Sequence, residues 1–448
     1  MTMGPELSRI GEAERIPSLD VVRGFAILFI LLMNIPWMGS YGFILFDPRY
    51  PSWTPADYWT TLFVNSVLEG TQRGLLELLF GAGIMIMARR AMTPDGPVGV
   101  ADLHYRRNLW LIVFGLANAL VLMWMGDILL VYGIAAIFLF PFRRMGPKGQ
   151  CAMAALFLGV LLLISVAEHR EAVAERAKVE RMAAREKAGA PLRAEEKKQV
   201  EEMKARDLRR SQLPGTNSEQ RAKIDTADKE RSGGFIAYWK AQRDGWVFIM
   251  LNFFWFIEAE IIATMLIGMA LYQWGVIQGR ARRQTYVLLL VAGYGIGLTL
   301  RSGLWLDRLS FQPGLISWER QFEDIARLGV TLGHLALLHL ALQSGVGRRL
   351  LAPFAAVGKI PLTVYLFTSL LMMWLVFAPW GLGLFGRFGM AQLMLLALAV
   401  IAVELVAANL WVMRFANGPA EWLWKSLAYE KREPFLRPRV PVVAAPAE

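Results

Sequence analysis

Apolar residues form long uninterrupted blocks along most of the chain. Leu28–Ile35, Ala152–Val166 and Leu393–Val403, for example, contain no charged residue. These blocks are apolar on every side, whereas a helix on the surface of a soluble protein carries only an apolar stripe. Because a helix needs roughly 20 apolar residues to cross a bilayer core about 30 Å thick, the pattern predicts an all-α, polytopic membrane protein with about ten transmembrane helices. The predicted spans are 19–37, 58–87, 109–124, 128–142, a fifth that ends near 166, 246–272, 285–301, 325–342, 354–379 and 390–413.

One long polar segment divides the membrane part in two. Residues 168–235 are dominated by Ala, Glu, Lys and Arg, a composition that favours solvated helices with a break at Pro214-Gly215. Acids and bases are interleaved there, which favours a solvated face over a nucleic-acid-binding arm. The predicted organisation is an N-terminal segment 1–18, a first membrane half 19–167, a charged insert 168–235, a second membrane half 236–413 and a basic tail 414–448.

Composition and charge support this reading. The chain is 55% hydrophobic and 19% charged, against about 25% charged residues in a typical soluble protein. The net charge of +11 comes largely from cations in loops on one predicted side, which is the pattern of cytoplasmic loops. We therefore expect a multi-pass protein of the plasma (inner) membrane with both termini cytoplasmic, the insert outside and no nucleic-acid partner. With the single Cys151, an intrachain disulfide and a Cys-based zinc site are excluded.

Charged residues at membrane depth are the main functional candidates. An ionisable side chain there costs roughly 2.5–3.5 kcal/mol on insertion scales, so each needs a reason. Glu69, Arg73 and Glu77 are spaced by four residues and form one helical stripe. Glu258 and Glu260 have no basic residue within one turn, so a partner from another helix or a protonated carboxyl is required. A purely structural role is as open as a functional one for neighbouring opposite charges. Glu69 and Arg73, for example, could simply neutralise each other.

Further polar residues are expected near the same depth. Asn34 lies near the outer end of the first span, and Asp127 occupies an outer turn with Tyr132 about one helical turn further on. Together with the second-span stripe and Glu258, they suggest a polar cavity open to the outside. His334 and His339 are five residues apart, about 140° round a helix, which does not fit a two-histidine metal face. No metal is expected.

Six stretches resemble the bacterial YeiB-type membrane proteins, and together they cover nearly all of the membrane part. Each is short and weakly specific alone, but their order along the chain is fairly specific. The stretches are LDVVRGFAIL (19–28, with Asn34 downstream), EGTQRGLLELLFGAG (69–83), GDIL with a following YG (126–133), MLIGMAL (265–271), GKIPLTVY (358–365, with Val364 where the family pattern has Asn) and GPAEWLW (418–424).

The resemblance implies an activity. YeiB-type proteins are related to the transmembrane acyltransferases typified by heparan-α-glucosaminide N-acetyltransferase, which pass an acyl group from cytosolic acyl-CoA to an acceptor across the membrane. That enzyme uses a histidine in its first outer loop, and the corresponding loop 41–59 contains none. An acyltransferase here would therefore use a carboxylate as base. The candidate catalytic residues are Glu258, Glu69 and Asp127, those for the acceptor are Asn34, Arg73, Asp57 and Tyr132, and those for the phosphates of acetyl-CoA or another acyl-CoA are Arg23, Arg106 and Arg107.

Two other functions are open at this stage. Intramembrane carboxylates also form proton relays, so a proton-coupled transporter or a lipid-handling protein without chemistry is the alternative. A scaffold that recruits partners through the charged insert is the third. The expected partners are membrane lipids and a small-molecule, glycan or lipid acceptor, and the pattern leaves a homo-oligomer open.

Overall fold

A computed structural model describes residues 16–41, 48–88, 99–213 and 218–437. These ranges are almost entirely helical, and their only β pairing is an isolated bridge between Phe415 and Leu436, so the predicted all-α class is confirmed. The helices are α1 (Pro17–Gly39), α2 (Pro55–Phe63), α3 (Thr71–Ala88), α4 (Gly99–Leu120), α5 (Leu129–Leu139), α6 (Pro147–Lys187), α7 (Ala194–Ser211), α8 (Ser218–Ser232), α9 (Phe235–Gln273), α10 (Arg283–Leu309), α11 (Glu323–Gln343), α12 (Gly345–Leu351), α13 (Phe354–Lys359), α14 (Pro361–Leu370), α15 (Met390–Arg414) and α16 (Pro419–Tyr429).

Six segments in the described ranges are long and apolar enough to cross a membrane. Five are the single helices α1, α6, α9, α10 and α15, and the sixth joins α11 to the helical turn before it. Of the other four predicted spans, the third lies in α4, which has 22 residues but is less apolar, the fourth lies in the shorter α5, and the second and ninth are interrupted. The second breaks at Gly70, whose φ of +71° suits glycine alone among common residues. The ninth breaks where Pro361 starts α14, because proline lacks the N–H that a continuous helix would use.

The charged insert is helical, as the composition predicts. Helix α6 runs for 41 residues, so its second half leaves the apolar part and pairs with α7. Val179, Met182, Val200 and Met203 form a small apolar core between the two helices, and Gly189 has the positive φ that the turn requires. The break predicted at Pro214-Gly215 lies outside the described residues, as do 1–15 and the end of the tail.

The insert rests on one end of the bundle, called here the insert end. The Arg49 guanidinium donates to the carbonyls of Arg210 and Gln212, both at 2.9 Å. The Tyr41 hydroxyl donates to the Asp228 carboxylate at 2.5 Å. Burial and this carboxylate raise the pKa of Tyr41 well above its ordinary value, so the hydroxyl stays a donor. The opposite end, where α16 packs on α4 and α14, is called the tail end.

Two helices at the centre, α3 and α9, touch through their backbones. A side chain at Gly81 would meet the carbonyl of Met265, and one at Gly268 would meet the carbonyl of Leu78. Only glycine allows so close an approach, which is a common way for helices to pack in membranes. The contact fixes the register of the two helices and so brings Arg73 of α3 against Glu260 of α9.

Candidate functional site

Four charged side chains form a buried cluster between α3, α9 and α11. The Arg73 Nη2 atom lies 2.6 Å from Glu260 Oε2 and its Nε lies 3.6 Å from Glu77 Oε1. Arg327 pairs with Glu260 and lies 3.9 Å from Glu77. Glu77, Glu260 and Arg327 are each at most 4% exposed. Two cations therefore balance two anions, which is the arrangement that makes charge tolerable in a low-dielectric interior.

Neighbouring polar groups hold this charge cluster in place. The Tyr132 hydroxyl donates to the Arg73 carbonyl at 2.9 Å, and the Thr264 hydroxyl donates to Glu260 Oε1 at 3.1 Å. Asp324, one turn before Arg327 on α11, lies 3.9 Å from it. The Asp324 side chain is 41% exposed and is therefore the accessible carboxylate of the group.

A cleft reaches the cluster from the side of the bundle. It has a volume of about 160 Å³, and its walls come from α6 and α9. The residues that line it are Arg73, Leu161, Ser165, Phe256, Ile257, Glu260 and Asp324. The cleft therefore has a charged floor and mostly apolar walls.

The cleft lies in the half of the bundle nearer the insert. At 1.5 Å per residue, Arg73 is about 22 Å from the tail end of α3, and Glu260 is about 20 Å from the tail end of α9. Leu161 is about 21 Å from the start of α6 by the same measure. Asp324 belongs to the first turn of α11 at the insert end. The floor of the cleft, at Arg73 and Glu260, thus lies within the apolar part of the bundle. The mouth of the cleft, at Asp324, lies near the edge of that apolar part.

Glu69 is held by a different arginine from the one that the sequence suggests. Arg301 on α10 is 1% exposed, and its Nη2 atom lies 3.0 Å from Glu69 Oε2. The same nitrogen donates to the carbonyls of Asn65 and Glu69 at 2.6 and 2.8 Å. Neutralisation of Glu69 by Arg73 was thus the wrong pairing, because the helix breaks at Gly70 and the two side chains take separate partners.

Asp127 joins the turn before α5 to two other helices. Its carboxylate accepts from the Asn118 amide at 2.7 Å and from the Leu130 N–H at 2.9 Å. The Ile128 N–H donates to the Tyr365 hydroxyl of α14 at 3.2 Å. Asp127 therefore acts as a cap of α5, and it does not line the cleft.

Three other predicted site residues lie away from the floor of the cleft. Asp57 accepts from Thr54 and from the Ala391 N–H at 3.0 Å, so it ties the start of α2 to the start of α15. Asn34 is buried on α1. Glu258 is 4% exposed, and neither of its oxygens has a hydrogen-bond partner among the described residues.

The predicted phosphate-binding cations all lie at the tail end. Arg23 pairs with Asp20 at 3.1 Å and donates to the Gly358 carbonyl at 3.3 Å.

Arg106 makes ion pairs with Asp102 and Glu430. Arg107 stacks over the ring of Trp424, 4.6 Å from its centroid. The latter two arginines thus contact α16 and its C-terminal flank, and Arg23 contacts the segment before α14.

Arg327, Arg301 and Asp324 are the site residues that the sequence reasoning missed. Each lies at the edge of an apolar span, where a charged residue is readily interpreted as interfacial rather than functional. One feature of the sequence did point to a partner for Glu260. No basic residue lies within one turn of it, and a buried carboxylate without a nearby cation must pair with one on another helix. The structure confirms that inference for Glu260 and supplies two arginines.

The two bundle histidines have structural partners. His334 Nδ1 lies 2.8 Å from the Val330 carbonyl, and the His339 ring packs against Tyr286. Within the described residues, no group of three metal-ligating side chains is close enough to hold an ion.

The six stretches that carry the family resemblance contact one another. Gly358 of GKIPLTVY packs on the backbone of Asp20 in LDVVRGFAIL. The following Leu362 and Thr363 N–H groups donate to Glu421 of GPAEWLW at 2.5 and 3.0 Å. The GDIL turn reaches Tyr365, and the second stretch packs on MLIGMAL through the α3–α9 contact. Segments far apart in sequence therefore build one connected centre.

The fold and this centre define an all-α integral membrane protein with a buried charge cluster. Residues 248–431 match the protein family described as "Protein of unknown function (DUF418)". The chain is 27% identical over 444 residues to "Uncharacterized protein YxaH" of Bacillus subtilis (strain 168), with 95% of this chain and 96% of the relative covered. It is 26% identical over 434 residues to "Uncharacterized protein YeiB" of Escherichia coli (strain K12), with 94% and 98% covered. These matches confirm the resemblance to the YeiB-type family. No solved structure matches the chain.

Proposed function

We propose that the protein is a membrane-bound acyltransferase that moves an acyl group from cytosolic acyl-CoA to an acceptor in the side cleft. The observation that carries the proposal is the buried charge cluster at the floor of that cleft. Its insertion into an apolar bundle is costly, and the cleft makes it accessible to a small molecule. The related transmembrane acyltransferases carry out this reaction between the two sides of a membrane.

The cleft residues suit the acceptor half of the reaction. Acyl transfer needs a base for the attacking group and a cation for the oxyanion that forms on the acyl carbon. The Asp324 carboxylate is the exposed acid at the mouth, and we assign the base role to it. Arg73, held in place by Glu260 and Glu77, would face the developing oxyanion. The expected bases Glu258, Glu69 and Asp127 do not line the cleft.

The tail end suits the donor half. The positive-inside pattern supports a cytosolic location for this end, and acyl-CoA is present in the cytosol. Arg23, Arg106 and Arg107 lie at this end, and the guanidinium fork matches phosphate geometry. The donor phosphates would bind between α1, α4 and α16, and the pantetheine arm would extend about 20 Å along the bundle to bring the thioester to the floor of the acceptor cleft.

We expect purified protein in detergent to bind acetyl-CoA or a longer acyl-CoA saturably by titration calorimetry. The double change Arg106→Ala with Arg107→Ala should weaken binding at least tenfold, since a hydrogen bond to a charged group contributes about 1.5–3 kcal/mol. Arg348→Ala with Arg349→Ala is the matched control, because these exposed arginines of α12 also lie at the tail end. No binding at any chain length, or equal losses in both double variants, would contradict the donor site.

One observation favours a second candidate, proton-coupled transport. Glu258 is buried within the apolar part of α9, and its carboxyl has no hydrogen-bond partner among the described residues. An intramembrane carboxyl of this kind suits a proton carrier. If acyl-CoA does not bind, proton uptake into proteoliposomes by the native protein and by Glu258→Gln is the measurement to make next.

A further inference from the structure

We propose that the side cleft binds a phospholipid with a primary amine on its headgroup, and that this lipid is the acyl acceptor. The second half of the statement rests on the proposed function, whereas the first half does not.

The walls of the cleft face the surroundings of the bundle at membrane depth. Phe256 lines the cleft and is 44% exposed, and its neighbour Trp255 is 79% exposed. On α6, Ser165 of the cleft wall is half-buried, and Leu163, on a different face of the same helix, is 70% exposed. Since these side chains belong to apolar spans, the medium that they contact is lipid. A ligand can therefore enter sideways from the bilayer with its chains along α6 and α9.

The depth of the cleft matches one layer of lipid. Its floor lies about 20 Å from the tail end of the spans, and its mouth includes the first turn of α11 at the insert end. The exposed Trp318 lies in the turn just before α11, as expected for a residue at headgroup level. A lipid of the layer on the insert side would place its headgroup at Asp324.

The charges of the buried cluster and of Asp324 at the mouth determine which headgroup can bind. Arg73 and Arg327 carry two positive charges, and Glu77, Glu260 and Asp324 carry three negative ones. The excess negative charge is on the accessible Asp324, which favours an ammonium group and disfavours a headgroup with phosphate alone. Arg73 lies deeper in the cleft, and its guanidinium N–H groups that are not held by Glu260 and Glu77 can donate both to a phosphodiester oxygen and to the oxyanion of the transfer step. A zwitterionic amino-phospholipid complements both residues.

With the lipid amine at Asp324, the transfer step balances in atoms and protons. The lipid ammonium gives one proton to Asp324, and the neutral nitrogen attacks the thioester carbonyl carbon of the acyl-CoA. The C–N bond forms as the C–S bond breaks, and the second nitrogen proton goes to the departing thiolate. The products are an N-acylated lipid and free CoA thiol, with no oxidant or reductant required.

Native mass spectrometry of the purified protein with three lipids tests the site without any acyl-CoA. We expect phosphatidylethanolamine to be retained about tenfold better than phosphatidylcholine, which has no N–H, and phosphatidylglycerol, which has no amine. Asp324→Asn should remove this preference. Ser165→Trp should fill the cleft and lower phosphatidylethanolamine retention on the order of tenfold. Leu163→Trp is the matched control, because it adds the same ring to an exposed position of the same helix.

The outcomes separate the lipid site from the reaction. Equal retention of the three lipids by the native protein, or equal retention by the two tryptophan variants, would overturn the proposed site. Selective retention with loss in Ser165→Trp would support it. If selective retention is found and acyl-CoA nevertheless fails to bind, the lipid site stands and the acyl-transfer proposal fails.

Discussion

Arg327→Leu is expected to destabilise the folded protein by about 3–5 kcal/mol, the range for loss of one partner from a buried ion pair. The change leaves Glu77 and Glu260 with Arg73 as their only cation within the cluster. Two carboxylates would then share one guanidinium at a site that is almost fully buried. The free energy of unfolding is measured by denaturant titration of the protein in mixed micelles.

A second substitution distinguishes charge balance from packing. Adding Glu77→Gln to Arg327→Leu restores neutrality, so part of the lost stability should return. Arg348→Leu, at an exposed position of α12, should change the free energy of unfolding by less than about 0.5 kcal/mol. If Arg327→Leu were as stable as this control, the contacts of Arg327 with Glu260 and Glu77 would not be present in the folded protein.

Glu421→Ala is expected to cost about 3 kcal/mol. Its carboxylate accepts from the N–H groups of Leu362 and Thr363 at the start of α14 and from the Thr363 hydroxyl at 2.5 Å. Removal leaves one buried and one partly buried helix-terminal donor without a partner, and a buried group of this kind costs about 1–3 kcal/mol. Thermal unfolding of the detergent-solubilised protein measures the loss as a lower transition temperature.

Glu421→Gln is the matched variant for this prediction. Glutamine keeps one carbonyl oxygen for the two N–H groups but removes the charge, so its effect should be about half that of alanine. Glu430→Ala, at an exposed position, should have a much smaller effect. Equal stability of Glu421→Ala and the native protein would show that α14 does not depend on this cap.

The architecture could largely be predicted from the sequence because a bilayer imposes a simple rule. A segment such as 390–413 must be helical if it crosses the membrane, since no water is available to its backbone. The described helix, Met390–Arg414, follows that prediction closely. The breaks at Gly70 and before Pro361 were missed, because apolar residues continue across both and only the local backbone conformation shows the interruption.

The candidate site was only partly predictable. Spacing predicts Glu69, Arg73 and Glu77 as one stripe, but the break at Gly70 separates Glu69, and only Arg73 and Glu77 join the cluster. The isolation of Glu260 demands a partner from elsewhere. Which partner it takes depends on how α3, α9 and α11 pack, and no sequence periodicity encodes that arrangement. Arg327 and Asp324 therefore emerge only from the structure, and with them the cleft itself.

Transfer of labelled acetyl groups from acetyl-CoA to phosphatidylethanolamine in proteoliposomes tests the central claim most directly. We expect a labelled N-acyl lipid with the native protein and with Glu323→Gln, since Glu323 is next to the proposed base in sequence but pairs with Arg308. Asp324→Asn should lower the rate by about 10²–10⁴, the usual contribution of a general base. Absence of labelled lipid with the native protein, or an unchanged rate in Asp324→Asn, would contradict the account.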